Sequence, residues 1–321
     1  MTATLGHNTK TPSVFIDGEA GTTGLEIRER LAKVGTVAVK SIAPDKRKDP
    51  KARQALMREV DLVILCLPDD AAKEAVVLAD DLGGNAPRII DASTAHRVDP
   101  TWVFGFPEMT QGQMAKVKAA MRVSNPGCYP TGAIALIRPL IEAGIMPADY
   151  PVTINATSGY SGGGKSMIEA HVAGKAPSFE IYGLGMAHKH VPETQLYSLL
   201  TRRPIFIPSV GNYRQGMLVS VPLHLDTLTR KPKLRDLHNA LAKHFAGAAL
   251  VSVIDVADDA ASKGGRLEAE SLNGTDKLEL RVFGSDATGH ALLVAKLDNL
   301  GKGASGAAVQ SLGLMLGVKT S

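Results

Sequence analysis

The run Val14-Phe15-Ile16-Asp17-Gly18-Glu19-Ala20-Gly21-Thr22-Thr23-Gly24 joins a short apolar strand to a glycine-rich turn. Leu25, Ile27 and Leu31 follow at helical spacing, and Gly35 ends the pattern. Strand, glycine turn and helix form the context in which backbone can approach a pyrophosphate at a helix N-terminus. Gly18, Gly21 and Gly24, spaced G-x-x-G-x-x-G, are therefore expected to bind a dinucleotide together with Thr22 and Thr23. A second strand, Val37 to Ile42, should meet the adenosine ribose. Its end carries Ser41 and no carboxylate before Asp45, with Lys46-Arg47-Lys48 close behind. A hydroxyl and cations suit a 2′-phosphate, so the expected cofactor is NADP(H) rather than NAD.

The alternation continues. Asp61-Leu62-Val63-Ile64-Leu65-Cys66-Leu67-Pro68 reads as a central parallel strand, with Cys66 in the core. Asp69-Asp70 is expected to cap a helix reaching Leu82. Arg88 to Asp91 is another strand, and Ala92-Ser93-Thr94-Ala95-His96-Arg97 forms the loop at its carboxyl end. Ligands of open α/β sheets bind at that edge, which makes Ser93 and Arg97 candidates for contacting anionic groups. A tight loop, Gly105-Phe106-Pro107-Glu108, leads to a polar helix around Gln111 to Met121. The β-α-β-α-β-α-β order predicts a Rossmann-like doubly wound parallel sheet.

The stretch Arg122-Val123-Ser124-Asn125-Pro126-Gly127-Cys128-Tyr129-Pro130-Thr131-Gly132 is the chemical centre. A strand runs into a Pro-Gly turn, and Pro130 suits a first helical turn. Ala133, Ile134, Ile137, Leu140 and Ile141 continue a helix that stops at Gly144. Cys128 thus lies beside a helix N-terminus, which is expected to lower its thiol pKa from about 8.5 towards neutrality and favour a nucleophile. The plainer reading is a small buried residue in a turn.

Beyond that helix the pattern becomes α+β. Val152 to Thr157 is a β-branched strand, and Ser158-Gly159-Tyr160-Ser161-Gly162-Gly163-Gly164-Lys165 reads as a flexible active-site loop. His188-Lys189-His190-Val191-Pro192-Glu193 lacks metal-site spacing, so no metal is expected, and an imidazole here suits acid–base work. Spacing leaves open whether His188 or His190 faces the cysteine. Pro204 to Val210, Met217 to Leu223, Leu250 to Val256 and Leu278 to Phe283 suggest a mixed, largely antiparallel sheet. One helix is expected near Leu234 to Phe245. His290 to Leu297 precedes a last apolar helix ending near Gly317.

At 321 residues two domains are expected, and a mild net charge of +4 is no nucleic-acid footprint. Two distant cysteines point to a reducing compartment. Met1 to Ser13 is polar without a signal-like apolar run, and no apolar stretch approaches membrane-spanning length, so a loose tail and a cytoplasmic location are expected.

Asn125-Pro126-Gly127-Cys128-Tyr129-Pro130-Thr131 resembles the active-site signature of the N-acetyl-γ-glutamyl-phosphate reductases of arginine biosynthesis. Gly18 to Gly24, Asp91 to Arg97, Gly105 to Glu108, Ser158-Gly159, His188 to Glu193 and Asp298 to Gln310 agree in order. The length and glycine-turn wording look like the shorter of the family's two types. The resemblance implies that Cys128 accepts an acyl group from an acyl phosphate, that His190 is the acid–base and that Glu193 orients it. It places substrate against Asn125, Arg97, Ser158, Gly159 and His188, and adds Pro68, Ser93 and Asn299 to the cofactor site. It also implies that residues 1–127 and 299–321 form the cofactor domain, residues 128–298 the substrate and oligomerisation domain, and that the enzyme is a homodimer or homotetramer. The alternatives are an aspartate-semialdehyde dehydrogenase, which shares the chemistry, a non-catalytic NADP-binding sensor, and a cysteine acyltransferase or hydrolase that needs no nucleotide.

Overall fold

The computed structural model describes residues 11–255 and 264–320. Most of the expected N-terminal tail, residues 1–10, and Val256 lie outside the described residues. The first half builds a six-stranded parallel sheet from β1 (Ser13–Asp17), β2 (Ala38–Lys40), β3 (Leu62–Leu65), β4 (Arg88–Asp91), β5 (Val103–Phe104) and β6 (Arg122–Ser124), in spatial order β2-β1-β3-β4-β6-β5. The chain winds one way from β1 to β2 and the other way through β3, which opens a crevice at the carboxyl end of β1. Strand alternation divides the core: Val14 and Ile16 face one side and Phe15 the other.

Helices α1 (Thr22–Val34) and α4 (Gln113–Ala119) cover the Val14 face. On the Phe15 face lie α2 (Pro50–Arg58) and α3 (Asp69–Asp80). The first of these, and β5, are absent from the sequence expectation. Apolar residues in α2 are few, and β5 has only two residues. Two local expectations are corrected. Asp69 does not cap α3: Pro68 occupies the N-cap, and the Asp69 carboxylate accepts from the backbone N–H and hydroxyl of Thr94. Cys66 falls just past β3 rather than inside it, half-buried and packed against the core on the Val14 face.

The second half centres on α5 (Cys128–Glu142), buried on all sides along most of its length. It packs on a seven-stranded mixed sheet made of β7 (Thr153–Gly159), β8 (Phe179–Ile181), β9 (Ile205–Gly211), β10 (Met217–His224), β11 (Val251–Val253), β12 (Leu278–Ser285) and β13 (His290–Leu297). Their order is β11-β12-β13-β10-β7-β9-β8. The β7–β9 and β11–β12 pairs are parallel and the others antiparallel. The expected flexible loop after Thr157 is regular structure instead: β7 runs through Gly159, a 3-10 turn covers Tyr160–Gly163, and α6 (Gly164–Val172) follows. Next come α7 (Val191–Tyr197) and α8 (Leu234–His244). After β13 a π-helical turn, Gly301–Ser305, leads into α9 (Gly306–Leu316). Ala308, Val309, Leu312 and Met315 return to the first sheet's Val14 face.

Candidate active site

The two sheets meet over a cleft of about 330 Å³. Thr22 and Thr23 reach it from the glycine turn, Arg97 from the loop after β4, and Asn125 and Cys128 from the β6–α5 turn. Ser158, Gly159, His188, His190 and Asn299 line it from the other half. Residues more than 270 positions apart therefore share one pocket, and Cys128 is among those lining it.

The Cys128 turn is tightly determined. Gly127 is the extended N-cap of α5, and Cys128 is the first helical residue. A Cβ on Gly127 would lie 2.7 Å from Arg97 Nη1 and 2.8 Å from both Glu193 Oε1 and His190 Nε2, so any side chain there would displace these three groups. The Gly127 N–H donates to Glu193 Oε2 at 3.0 Å, and Arg97 Nη1 donates to Glu193 Oε1 at 2.5 Å. Glu193 thus ties the arginine loop to the cysteine turn. It makes no hydrogen bond to His190, which corrects the expectation that it orients the imidazole. His190 Nδ1 is buried without a partner among the described residues, and its Nε2 points toward Gly127.

The charge states also differ from the sequence expectation. Burial pushes the Cys128 thiol up to about 11, although Arg97 and the backbone N–H groups of Tyr129 and Cys128 pull the other way. Desolvation therefore outweighs the helix N-terminus in the resting site. His190 is held well below its usual range, first by burial and then by the Arg97 cation. His188 falls to about 4, chiefly through burial. At neutral pH the cleft is therefore lined by a neutral thiol and a neutral imidazole.

His188 Nδ1 accepts from the backbone N–H of His190 at 3.2 Å, which orients the His188 ring. Asn299 is fixed within the second half: its Oδ1 accepts from the Gly216 N–H at 2.8 Å and its Nδ2 donates to Ser161 Oγ at 2.9 Å. Asn125 Nδ2 donates to the Ala304 carbonyl at 3.0 Å, tying the cysteine turn to the π-helical turn.

Other expected contacts are placed elsewhere. Ser93 Oγ donates to Asp91 and accepts from the Ala95 N–H, so its hydroxyl is turned inward rather than into the cleft. Pro68 sits at the head of α3, outside the cleft lining. Ser41 Oγ donates to Glu19 Oε2 at 2.9 Å. Sequence reasoning missed Lys189, Tyr182 and Met167, which line the same cleft. Lys189 was legible from its place between two histidines; nothing in the sequence singles out Met167.

Residues 13–117 match the family described as semialdehyde dehydrogenase, NAD binding domain, and residues 128–299 match semialdehyde dehydrogenase, dimerisation domain. N-acetyl-γ-glutamyl-phosphate reductases of Brucella anthropi and Brucella suis are each 53% identical over 311 residues, covering 95% of this chain and 99% of theirs. The chain belongs to the N-acetyl-γ-glutamyl-phosphate reductase family.

Solved structures share the fold of this reductase family member at much lower identity. Aspartate semialdehyde dehydrogenase II of Vibrio cholerae superposes with a TM-score of 0.68 at 17% identity, covering 96% of this chain and 99% of that one. Aspartate semialdehyde dehydrogenase of Candida albicans, solved with NADP, gives 0.62 at 13% identity, with 95% and 98% covered. These likenesses show the architecture; the sequence relatives separate the reductase family from the dehydrogenases within it.

The nucleotide end of the site suits a dinucleotide. Helix α1 starts at Thr22 with no side-chain cap and no acidic residue in its first turn, so its N–H groups are open to an anion. Gly18 has φ +90°, and a side chain there would run into the Cys66 carbonyl.

Proposed function

We propose that the chain reduces N-acetyl-γ-glutamyl phosphate to N-acetylglutamate 5-semialdehyde and phosphate with NADPH, through a thioester on Cys128, in arginine biosynthesis. The observation that carries this reading is the meeting of Cys128, His190 and Arg97 in one cleft that also opens on Thr22 and Thr23.

The Cys128 sulfur attacks the acyl carbonyl as its proton passes to His190, whose neutral imidazole is a base at pH 7. Because the thiol is protonated at rest, proton removal and attack are coupled. The carbon–oxygen bond to phosphate breaks, and the proton leaves with the phosphate. Cys128 and Tyr129 N–H groups at the start of α5 stabilise the oxyanion, each worth about 2.7–4 kcal/mol in comparable sites. Bound NADPH supplies the hydride that takes the thioester to the aldehyde level. Collapse of the resulting thiohemiacetal returns the sulfur as thiolate, which His190 reprotonates with a proton from solvent. Arg97 and Lys189 supply positive charge for the substrate's anionic groups, and Glu193 keeps Arg97 in place. Asn125, Ser158, Gly159 and His188 shape the acyl pocket. Gly18, Gly21, Gly24 and Asn299 seat the cofactor, with Pro68 and Ser93 beneath it.

The cofactor domain comprises residues 1–127 and 299–321, and residues 128–298 carry substrate and assembly. A second copy covers the open face of the mixed sheet, where Leu218, Phe283 and Leu292 line an apolar groove, giving a homodimer or a tetramer built from it. The enzyme works in the cytoplasm. The test is phosphate-dependent oxidation of both semialdehydes with NADP. Turnover of N-acetylglutamate 5-semialdehyde, with aspartate semialdehyde at least about 100-fold poorer, is expected, since a site built around specific polar contacts discriminates by that much or more. Preference for aspartate semialdehyde, or no turnover of either, would remove the assignment.

A further inference from the structure

Glu19, inside the glycine turn, is held by donors from three separate places. Its Oε2 accepts from Ser41 Oγ at 2.9 Å and Arg28 Nη1 at 3.2 Å, and its Oε1 accepts from Arg47 Nη2 at 3.0 Å. Ser41 follows β2, Arg28 belongs to α1, and Arg47 follows the 3-10 turn Pro44–Lys46. The carboxylate is nearly buried, at 5% exposure, whereas Arg28 and Arg47 are 52% and 39% exposed and reach inward from the surface.

A hydroxyl and two guanidinium groups at the carboxyl end of β2 form the donor set that a phosphate monoester takes beside the adenosine ribose. Here a protein carboxylate already holds all three. Two anions cannot share those donors at hydrogen-bond distance without strong repulsion. Three of the carboxylate's about four acceptor sites are already taken, which leaves little with which to hold both ribose hydroxyls of NADH.

We propose that Glu19 is a resident carboxylate in the seat of the cofactor's 2′-phosphate, displaced from Ser41, Arg28 and Arg47 when NADPH binds, and so a determinant of affinity and nucleotide preference. The inference rests on the nucleotide-binding reading of the glycine turn. When the site is empty, Glu19 keeps the two arginines paired and the turn ordered. When NADPH arrives, the dianion with three acceptor oxygens replaces the monoanion with two. NADH has no group able to displace Glu19 and meets the turn with its carboxylate still in place.

The experiment measures dissociation constants by calorimetry for NADPH, NADH, 2′,5′-ADP and 5′-AMP against the wild type and the E19Q, S41A and R47A variants. E19Q keeps the shape but removes the competing charge, so NADPH and 2′,5′-ADP should bind about ten-fold tighter, while NADH and 5′-AMP change less than about two-fold. S41A and R47A should weaken only the two ligands that carry a 2′-phosphate. Weaker NADPH binding by E19Q, or an equal shift for NADPH and NADH, would make Glu19 a brace of the turn and overturn the proposal. Unchanged 2′,5′-ADP binding by both S41A and R47A would overturn it independently of how E19Q folds. A wild type that binds neither nucleotide would defeat the cofactor reading itself and this inference with it.

Discussion

Cys128 and His190 both rest uncharged in the cleft, and under the proposed mechanism that sets how the site responds to pH. With the thiol at about 11 and the imidazole below its usual range, alkylation of Cys128 by iodoacetamide should be slow at pH 7 and climb through the alkaline range. Peptide mapping separates it from Cys66, whose thiol burial pushes up to about 12. A reactivity midpoint near pH 7 would show a preformed thiolate and refute the coupled proton transfer. Glu193 offers a second test at this scale. Glu193→Gln keeps a partner for the Gly127 N–H but loses the ion pair to Arg97, so kcat/KM should fall by about 10²–10⁴, in line with about 3–5 kcal/mol for breaking a buried pair. A change below three-fold in steady-state assays would mean that the Arg97–Glu193 tie does not position the site. The place of Cys128 at the head of α5 was legible because a cysteine between a Pro-Gly turn and an apolar helix leaves few structural choices. Glu193's true partner was not legible. Its bond to Gly127 N spans 66 residues and depends on how α7 docks.

Among the elements, α5 and the π-helical turn hold the sulfur between them. A Cβ on Gly303 would come 2.9 Å from the Cys128 Cβ, so the turn packs directly on the nucleophile. Its position depends on Lys302, 1% exposed, whose Nζ donates to Glu108 Oε2 at 2.8 Å and Gln310 Oε1 at 2.7 Å. Lys302→Met leaves the Glu108 carboxylate buried without its cation and should cost about 3–5 kcal/mol in urea unfolding. Adding Glu108→Gln should recover part of that loss. Equal stability of Lys302→Met and wild type would show that the turn needs no such anchor. The strongly patterned elements, β1, β3, α5 and β13, were readable because each is apolar at its own period. Those that escaped are short or polar: β5 is a two-residue strand defined only by its pairing with β6, and α6 grows out of a glycine run that reads locally as loop. Here the partner strand or the packing surface, not local preference, decides.

Across the whole molecule, two sheets of different construction meet at one seam, and burial at that seam makes stability depend on pH. His188 and His190 have folded pKa values below the unfolded value of about 6.5, so between those values the unfolded chain binds more protons than the folded one. Their contribution is present above pH 6.5 and is lost as pH falls toward 4. The thermal midpoint of a His188→Gln/His190→Gln variant should therefore decline less than that of wild type between pH 7 and pH 5, measured by calorimetry. Parallel decline of the two would mean that neither ring is held neutral by burial. The doubly wound sheet and its fingerprint followed from the alternating pattern of the first 130 residues. The return of α9 to that sheet lies nearly 300 residues from β1, and only the family resemblance pointed to it.

The most direct measurement of the central claim is the intact mass of the enzyme mixed with N-acetylglutamate 5-semialdehyde and NADP in the absence of phosphate, quenched in acid. One acyl group carried on the peptide containing Cys128, released when phosphate is added and absent from Cys128→Ala, is the predicted result. Oxidation of the aldehyde by Cys128→Ala at the wild-type rate, or an adduct on any other residue, would contradict it.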